Sequence, residues 1–369
     1  QGRAAQGICI LAAFAAISLF AAGWLLLRQD RTFSDSENRM LAQKPAPTLA
    51  SLADGSFAGG IERWYADQFP GRDLWITADL TFQRALGVRE MNGVYLGADG
   101  YLLEAPAQED AAQLGQTEAA ICAFAAQHPD IRLTAAIVPN AWGVLSEKLP
   151  AGAPVEDQKA LIDAIDQAMP DVRTANLTEE LRSRRAESLY YRTDLHWRQE
   201  MLAPTAKALA DAMGVSLTVD FTEVTLDTPF YGVYRGQSAL PMEPDRLAYL
   251  TNDIIGSCRV YDYESGAYLP VYTLEKADGS DPYEIFLSGP KSLLRIENPN
   301  AQAERKLLVF RDSFAASLLP LLAEGYSEIT LADIRTLSPS MLGKFIDFTA
   351  QDVLFLYSTS VLNDSATIK

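Results

Sequence analysis

"LLVFRDSFAASLLP", residues 307–320, is the stretch on which the fold turns. Lys306 to Phe310 is a short apolar run of the kind found in a strand buried on both faces. Arg311-Asp312-Ser313 breaks the run, and the pattern from Ser313 to Ala323 is that of an amphipathic helix. A buried strand passing through a tight turn into a helix is the repeating unit of an α/β sheet. The serine at such a junction lies at the carboxyl edge of the sheet, where α/β ligand sites gather. It also lies at a helix start, where free N–H groups and the dipole favour developing negative charge. Two roles stay open for it: Asp312 or Ser313 caps the helix, or Ser313 is a nucleophile.

The same alternation runs outward in both directions. Downstream come a strand at Glu328–Asp333, a helix at Ser340–Phe348 and a strand at Asp352–Ser358. Upstream, helices are expected at Gln108–Gln127, Glu156–Met169 and Arg198–Met213, with strands at Ile131–Pro139 and Ser188–Asp194. The fold class is therefore α/β with a mostly parallel sheet covered on both faces. Phe221 to Asn300 departs from the pattern. It is rich in Tyr, Gly, Pro, Thr and Asp, and reads as an irregular β-rich insertion forming a cleft wall. Before the alternation, Ile61–Trp75 and Leu74–Leu86 read as short helices, and Asn92–Glu104 as a hairpin around Ala98-Asp99-Gly100.

At the N-terminus, Ile8 to Leu27 holds twenty residues without a charge. At a rise of about 1.5 Å each they span roughly the 30 Å hydrocarbon core of a bilayer. Trp24 and three leucines lead straight into Arg28, with no small-x-small cleavage site, so an uncleaved transmembrane helix is expected. Arg3 flanks one side and Arg28 and Arg31 the other, which leaves its orientation open. The expected organisation is an anchor at 1–28, a linker at 29–60, and one α/β domain at 61–369 with the insertion at about 221–300.

Apolar residues make up 48% and charged residues 21% of the 369, a globular composition. The net charge of −17 argues against nucleic acid as a partner. Cys9, Cys122 and Cys258 form no CxxC or Cys/His cluster, so no metal site is expected. Whether Cys122 and Cys258 pair is open.

Only two histidines occur. His128, in "QHPD", reads as a helix-end residue. His196 lies two residues after Asp194. In an extended chain such residues share a face, their Cα atoms about 6.6 Å apart. A carboxylate beside an imidazole fixes its tautomer and stabilises the imidazolium. A serine nucleophile needs a base, so Ser313, His196 and Asp194 are the candidate catalytic residues. The alternative is a strand-end histidine with one ordinary hydrogen bond. There is no G-x-S-x-G, which excludes the α/β-hydrolase elbow.

"DLHW" (194–197), together with "FRDSFAASLLPLLAEGYSEITLADIR" (310–335), resembles the DHHW protein family, which is related to the SGNH-hydrolase-like proteins of alginate O-acetylation. The resemblance extends in the same order over "SENRMLAQKPAPTL", "DGSFAGGIERWYADQFPGRDLW", "NGVYLGADGYL" and "AAIVPNAWGVLSEKLP". Asp194, His196 and Trp197 match the D-x-H-W pattern, with Leu195 at its second position. Ser313 matches the family serine, and Arg311 stands where the G-D-S block usually has glycine. The resemblance implies an SGNH-hydrolase-like three-layer sandwich and a Ser-His-Asp triad. It implies acetyl transfer to, or removal from, cell-surface polysaccharide by an extracytoplasmic, membrane-anchored protein. It also implies a membrane-bound O-acyltransferase as partner and calls for no cofactor.

On this reading the Ser313 backbone N–H is the first oxyanion donor, and a loop around Gly232 or Asn140 is expected to supply the second. Arg335, after a strand at the same edge, is expected to orient substrate. Tyr326 and Trp197 are candidate sugar-stacking faces. The rival reading is a catalytically degenerate glycan-binding or scaffold protein serving the acyltransferase. A lipid or peptide esterase is a third, because a triad does not report substrate.

Overall fold

Four consecutive residues of one strand divide between two cores. Leu307 and Val309 join one cluster with Val138, Ile329, Leu331 and Leu356. Leu308 and Phe310 join the other with Ile137, Ala332, Val353 and Phe355. Successive strand side chains point to opposite faces, so this division is the mark of a sheet buried on both. The computed structural model describes residues 2–34, 39–105, 110–154, 156–238, 240–337, 339–346, 348 and 351–363.

The sheet has eight strands: β1 (Arg132–Val138), β2 (Arg173–Asn176), β3 (Arg259–Asp262), β4 (Ala267–Leu269), β5 (Leu293–Glu297), β6 (Lys306–Arg311), β7 (Glu328–Ala332) and β8 (Asp352–Ser358). Their spatial order is β4-β3-β5-β7-β6-β8-β1-β2. The five strands from β7 to β2 are parallel. β5, β3 and β4 extend the β7 edge antiparallel. Helices Leu177–Ser183, Ala203–Ala212 and Phe314–Leu318 cover one face. Helices Ala111–Gln127, Gln158–Ala168 and Pro339–Leu342 cover the other. This is the α/β architecture with a mostly parallel sheet that the alternation implies.

Several expectations need correction. The 221–300 region, expected as an irregular β-rich insertion, is β-rich, but three of its strands complete the central sheet. Val260, Leu294 and Ile296 carry the same core outward. Its hairpin, Thr222–Phe230 with Asp245–Thr251, forms a sheet of its own. Ser188–Asp194 is not a strand. The chain there makes one isolated bridge, Tyr190 with Trp197, and bends between them. β2 occupies the place beside β1 that such a strand would have taken. The helix after Ser313 is α-helical only over Phe314–Leu318 and continues as a 3-10 helix over Leu319–Gly325. Pro320 has no N–H to continue an α-helical ladder. Only Pro339–Leu342 of the helix expected at Ser340–Phe348 forms, and part of that stretch lies outside the described residues.

The chain divides into two compact units, Gln1–Met91 with Arg235–Pro241, and Asn92–Tyr234 with Met242–Lys369. The start expected for the α/β domain, residue 61, lies inside the first unit. Within that unit the described residues of the expected linker make specific contacts. Phe33–Ser34 pairs with Arg39–Met40. Gln68 bonds the backbone of Arg31 and Ala42, and Trp64 Nε1 donates to Asp30 at 2.8 Å. The expected anchor lies in a single helix, Gly2–Leu27. Among the described residues, however, no helix is long and apolar enough to cross a membrane. The transmembrane expectation therefore finds no support in the fold. Cys122 and Cys258 are free thiols, and burial pushes Cys258 up to about 11.

Candidate active site

Ser313 follows β6 directly, with backbone angles of φ −67° and ψ −24°. Its side chain caps nothing. The capping falls to Asp312, whose Oδ1 accepts the Phe314 N–H at 3.1 Å. Asp312 Oδ2 accepts the Ser358 N–H at 2.6 Å, at the end of the neighbouring β8. Burial pushes the Asp312 carboxyl above its usual range although the Ser358 N–H opposes it. This buried cross-strand tie leaves Ser313 half-exposed at the carboxyl edge of the sheet. Its Oγ lies 2.7 Å from His196 Nε2.

His196 reaches that point through a turn, not along a strand. Tyr191 N–H donates to the His196 carbonyl at 3.2 Å, and Arg198 N–H to the Leu189 carbonyl at 2.8 Å. These bonds close the bend that carries Asp194 and His196. Inside it, Asp194 Oδ1 accepts the His196 backbone N–H at 3.0 Å and meets His196 Nδ1 at 2.6 Å. A short polar side chain bonding the backbone two residues on is an Asx-turn. Asp194 Oδ2 accepts the Val233 N–H at 3.0 Å.

Burial raises the Asp194 pKa, but the His196 charge, the His196 hydrogen bonds and the Val233 N–H outweigh it, and the carboxyl is held below its usual range. Asp194 is thus an acceptor only, so the Nδ1 proton lies toward it and Nε2 presents its lone pair to the Ser313 hydroxyl.

The bend is itself pinned. Asp245 Oδ2 accepts from Thr193 N–H at 2.8 Å and Thr193 Oγ1 at 2.7 Å, and Asp245 Oδ1 accepts from Arg192 N–H at 3.0 Å. Gly232 packs so closely that a Cβ there would stand 2.2 Å from Asp194 Cβ. Only glycine lets this backbone pass and deliver the Val233 N–H.

The imidazole lies flat on Tyr283, with ring centroids 3.8 Å apart and planes at 10°. Tyr283 Oη donates to Ser317 Oγ at 2.9 Å, in the helix that follows Ser313. One ring thereby fixes the His196 plane and the Ser313 helix together. Leu287, Ser288 and Gly289, just after the turn carrying Tyr283, all have positive φ, at 52°, 63° and 82°. A buried leucine is strained there.

Trp197 is fully buried. Its Nε1 donates to the Phe314 carbonyl at 3.2 Å and to Ser317 Oγ at 3.0 Å, so it buttresses the Ser313 helix and presents no face to a sugar. Tyr326 is buried and bonds Asp352 at 3.2 Å. It precedes β7, so it lies at the amino edge of the parallel strands, opposite Ser313. His128, before β1, lies at that same far edge, stacked on Phe348 and tilted against Phe124.

Neither Gly232 nor Asn140 itself offers a spare donor. The Gly232 N–H is bound to Thr193 Oγ1 at 3.0 Å. The Asn140 amide donates to Glu104 and Ser360, and its backbone N–H to Gln158. The Ser313 N–H donates to no group among the described residues. Arg335 is at the same edge as Ser313, in a bidentate pair with Asp333 at 2.7 and 2.9 Å. Among the described residues no group of three His, Cys, Asp or Glu side chains is placed to hold a metal ion.

Sequence reasoning does not find Tyr283, Asp245 or Val233. Tyr283 sits in "DPYEI", which carries no chemical signal, and Val233 acts through its backbone alone.

The DHHW protein family model matches residues 150–332. Among solved structures, a DHHW family protein from Eubacterium siraeum is 20% identical, with TM-score 0.62, over 76% of this chain and 95% of that one. Bacillus cereus PatB1, solved with a sulfonyl adduct, is 22% identical with TM-score 0.60, over 73% and 97%. The O-acetyltransferase domain of Pseudomonas putida AlgJ is 20% identical with TM-score 0.47, over 73% and 92%. A comparison with curated proteins finds no match. Residues 150–332, which carry Asp194, His196 and Ser313, belong to the DHHW protein family.

Proposed function

We propose that this protein is a serine acyltransferase or esterase acting on acetyl groups of cell-surface polysaccharide. The observation that carries the reading is the chain of short contacts from Ser313 Oγ to His196 Nε2, 2.7 Å, and from His196 Nδ1 to Asp194, 2.6 Å. A histidine oriented by a carboxylate and facing a half-exposed serine is the arrangement of nucleophilic acyl transfer. Ser313 Oγ attacks the acetyl carbonyl while His196 Nε2 takes its proton. The Ser313 N–H faces the developing oxyanion. The tetrahedral centre collapses to acetyl-Ser313, and His196 returns the proton to the departing donor oxygen. A sugar hydroxyl or water then attacks in the same way, and Ser313 is restored. Arg335 remains the candidate for orienting substrate at this edge.

The shared fold with PatB1 supports the reading, because a sulfonyl group is a trap for nucleophiles. The matching experiment treats this protein with a sulfonyl fluoride. One sulfonyl group should attach, at Ser313, and turnover of an acetyl ester should fall in proportion. Labelling at another residue, or no labelling with ester turnover intact, would remove Ser313 from the reaction.

The reading also has the body working outside the cytoplasm, supplied with acetyl groups by a membrane-bound O-acyltransferase. A reporter fused after Lys369 should be active only outside the cytoplasm. Activity confined to the cytoplasm would refute the placement.

A further inference from the structure

Beside Ser313, across the end of β8, lies a second polar cluster that the chemistry above does not use. Glu104, at the end of the hairpin strand Leu102–Glu104, accepts from the Asn140 amide and from Ser360 Oγ at 3.3 Å. Asn140 is buried and held from behind. Its Oδ1 accepts from Thr359 Oγ1 at 2.8 Å, and Thr359 accepts from Gln158 at 2.7 Å. Burial and, after it, the Glu104 charge push the buried Tyr234 hydroxyl well above its usual range.

Two independent ties bring this cluster to the nucleophile. On one side Tyr234 follows Val233, whose N–H holds Asp194, and the Tyr234 N–H bonds the Thr193 carbonyl at 3.0 Å. On the other, Ser360 stands two residues beyond Ser358, whose N–H holds Asp312 next to Ser313. Glu104 is half-exposed and Ser360 exposed, on the same open edge as half-exposed Ser313.

What this cluster still offers is acceptors. A carboxylate has about four lone-pair directions, and Glu104 uses two, on Asn140 and Ser360. Ser360 Oγ donates its proton to Glu104 and keeps one lone pair. Asp281, half-exposed, caps the Tyr283 turn through Oδ1, which accepts the Tyr283 N–H at 3.1 Å. Burial raises the Asp281 pKa and the negative charge of Asp194 raises it further, so the two carboxylates feel one another. The charges bearing on Tyr283 and Tyr234 are likewise those of carboxylates: Asp194, Asp281, Asp312 and Glu104. Arg335 is paired with Asp333, and Lys291 with Asp262 at 3.0 Å. The whole chain carries −17.

We infer that Glu104 and Ser360 form the acceptor subsite, and that they take an uncharged sugar with neighbouring hydroxyls in preference to a uronate. This rests on the acyl-transfer reading. Two adjacent hydroxyls donate to Glu104 and Ser360, and a third sugar hydroxyl faces acetyl-Ser313. That hydroxyl gives its proton to His196 Nε2 as its oxygen bonds the acetyl carbon. The bond from that carbon to Ser313 Oγ breaks, and the proton passes to Oγ. A uronate would bring a carboxylate against carboxylates, which is repulsive and leaves acceptors facing acceptors.

The test measures binding of cellohexaose and of an oligogalacturonate of the same length to the full chain carrying Ser313→Ala, which cannot turn either over. Cellohexaose should bind at least tenfold more tightly. Adding Glu104→Gln, or separately the exposed Ser360→Ala, should weaken cellohexaose about tenfold or more. Equal or tighter uronate binding, no cellohexaose binding, or affinity within twofold in both variants would overturn the inference. Acetyl-ester turnover by the unaltered protein is measured alongside. If turnover is absent while Glu104-dependent cellohexaose binding is present, the acyl-transfer reading falls and the sugar site stands.

Discussion

Ser313→Ala should lower turnover of an acetyl ester by about 10⁴- to 10⁶-fold, the range seen when a serine nucleophile is removed from such a unit. The folded state should hardly notice. Ser313 makes no side-chain cap bond, and Asp312 supplies the one at Phe314. The variant loses one hydrogen bond, to His196, which is worth about 0.5–1.5 kcal/mol net. A urea titration should therefore give a midpoint close to that of the unaltered protein, while an ester assay gives almost nothing. Ester turnover that survives in a folded variant would show that Ser313 is not the nucleophile. The scaffold reading would then lead, with the D-x-H-W residues serving structure alone.

Ser313 is legible in the sequence as a candidate nucleophile because its signal is local. A buried strand, a polar turn and a helix occur in one run of fourteen letters, and the strand-to-helix change puts Ser313 at the carboxyl edge of the sheet whatever the rest does. The α/β class is legible for the same reason. Asp194 and His196 are legible as a pair, but not the geometry that joins them. Strand alternation and an Asx-turn both bring residues i and i+2 together, and sequence spacing does not separate them. The turn wins here because Asp194 bonds its own backbone two residues on, and Asp245, distant in sequence, holds the bend.

Trp197 and Tyr326 mislead because an aromatic residue near a site in sequence fits a sugar platform and a core buttress equally well. Burial decides, and both are buried. Gly232 and Asn140 do lie at the expected edge, yet their donors are committed to Thr193, Glu104, Ser360 and Gln158. Tyr283 is out of reach for a different cause. It meets His196 from the segment between β4 and β5, far from it in sequence, and no local pattern encodes that contact.

Asp194→Asn should separate orientation from mere presence. The shape is nearly unchanged, and the amide oxygen can still accept the Val233 N–H. Its NH₂ would then face His196 Nδ1, and also the His196 backbone N–H that the same Asp194 oxygen accepts in the unaltered protein. Two N–H groups cannot share that 2.6 Å contact, so the imidazole must move its proton to Nε2. Nε2 would donate toward Ser313 and no longer accept from it, and the base is lost at the atom that needs it. Turnover should fall about 10⁴-fold near pH 7, the size of the tautomer effect in a serine triad. Rates within tenfold of the unaltered protein would mean that His196 does not act through Asp194.

The same variant carries a pH signature. Asp194 is held below its usual pKa in the fold, so near its titration the unfolded chain binds more protons than the native one, and stability rises with pH. Its contribution is fully present above the unfolded value of about 3.9 and is lost as pH falls through the lower folded value. The asparagine side chain of the variant does not titrate. The gap in urea midpoint between the unaltered protein and Asp194→Asn should therefore be widest near neutrality and close as the pH is taken below about 4. A gap that stays constant from pH 7 to pH 3 would show that the Asp194 carboxylate is not stabilised by its partners, and that the Val233 and His196 bonds hold geometry without holding charge.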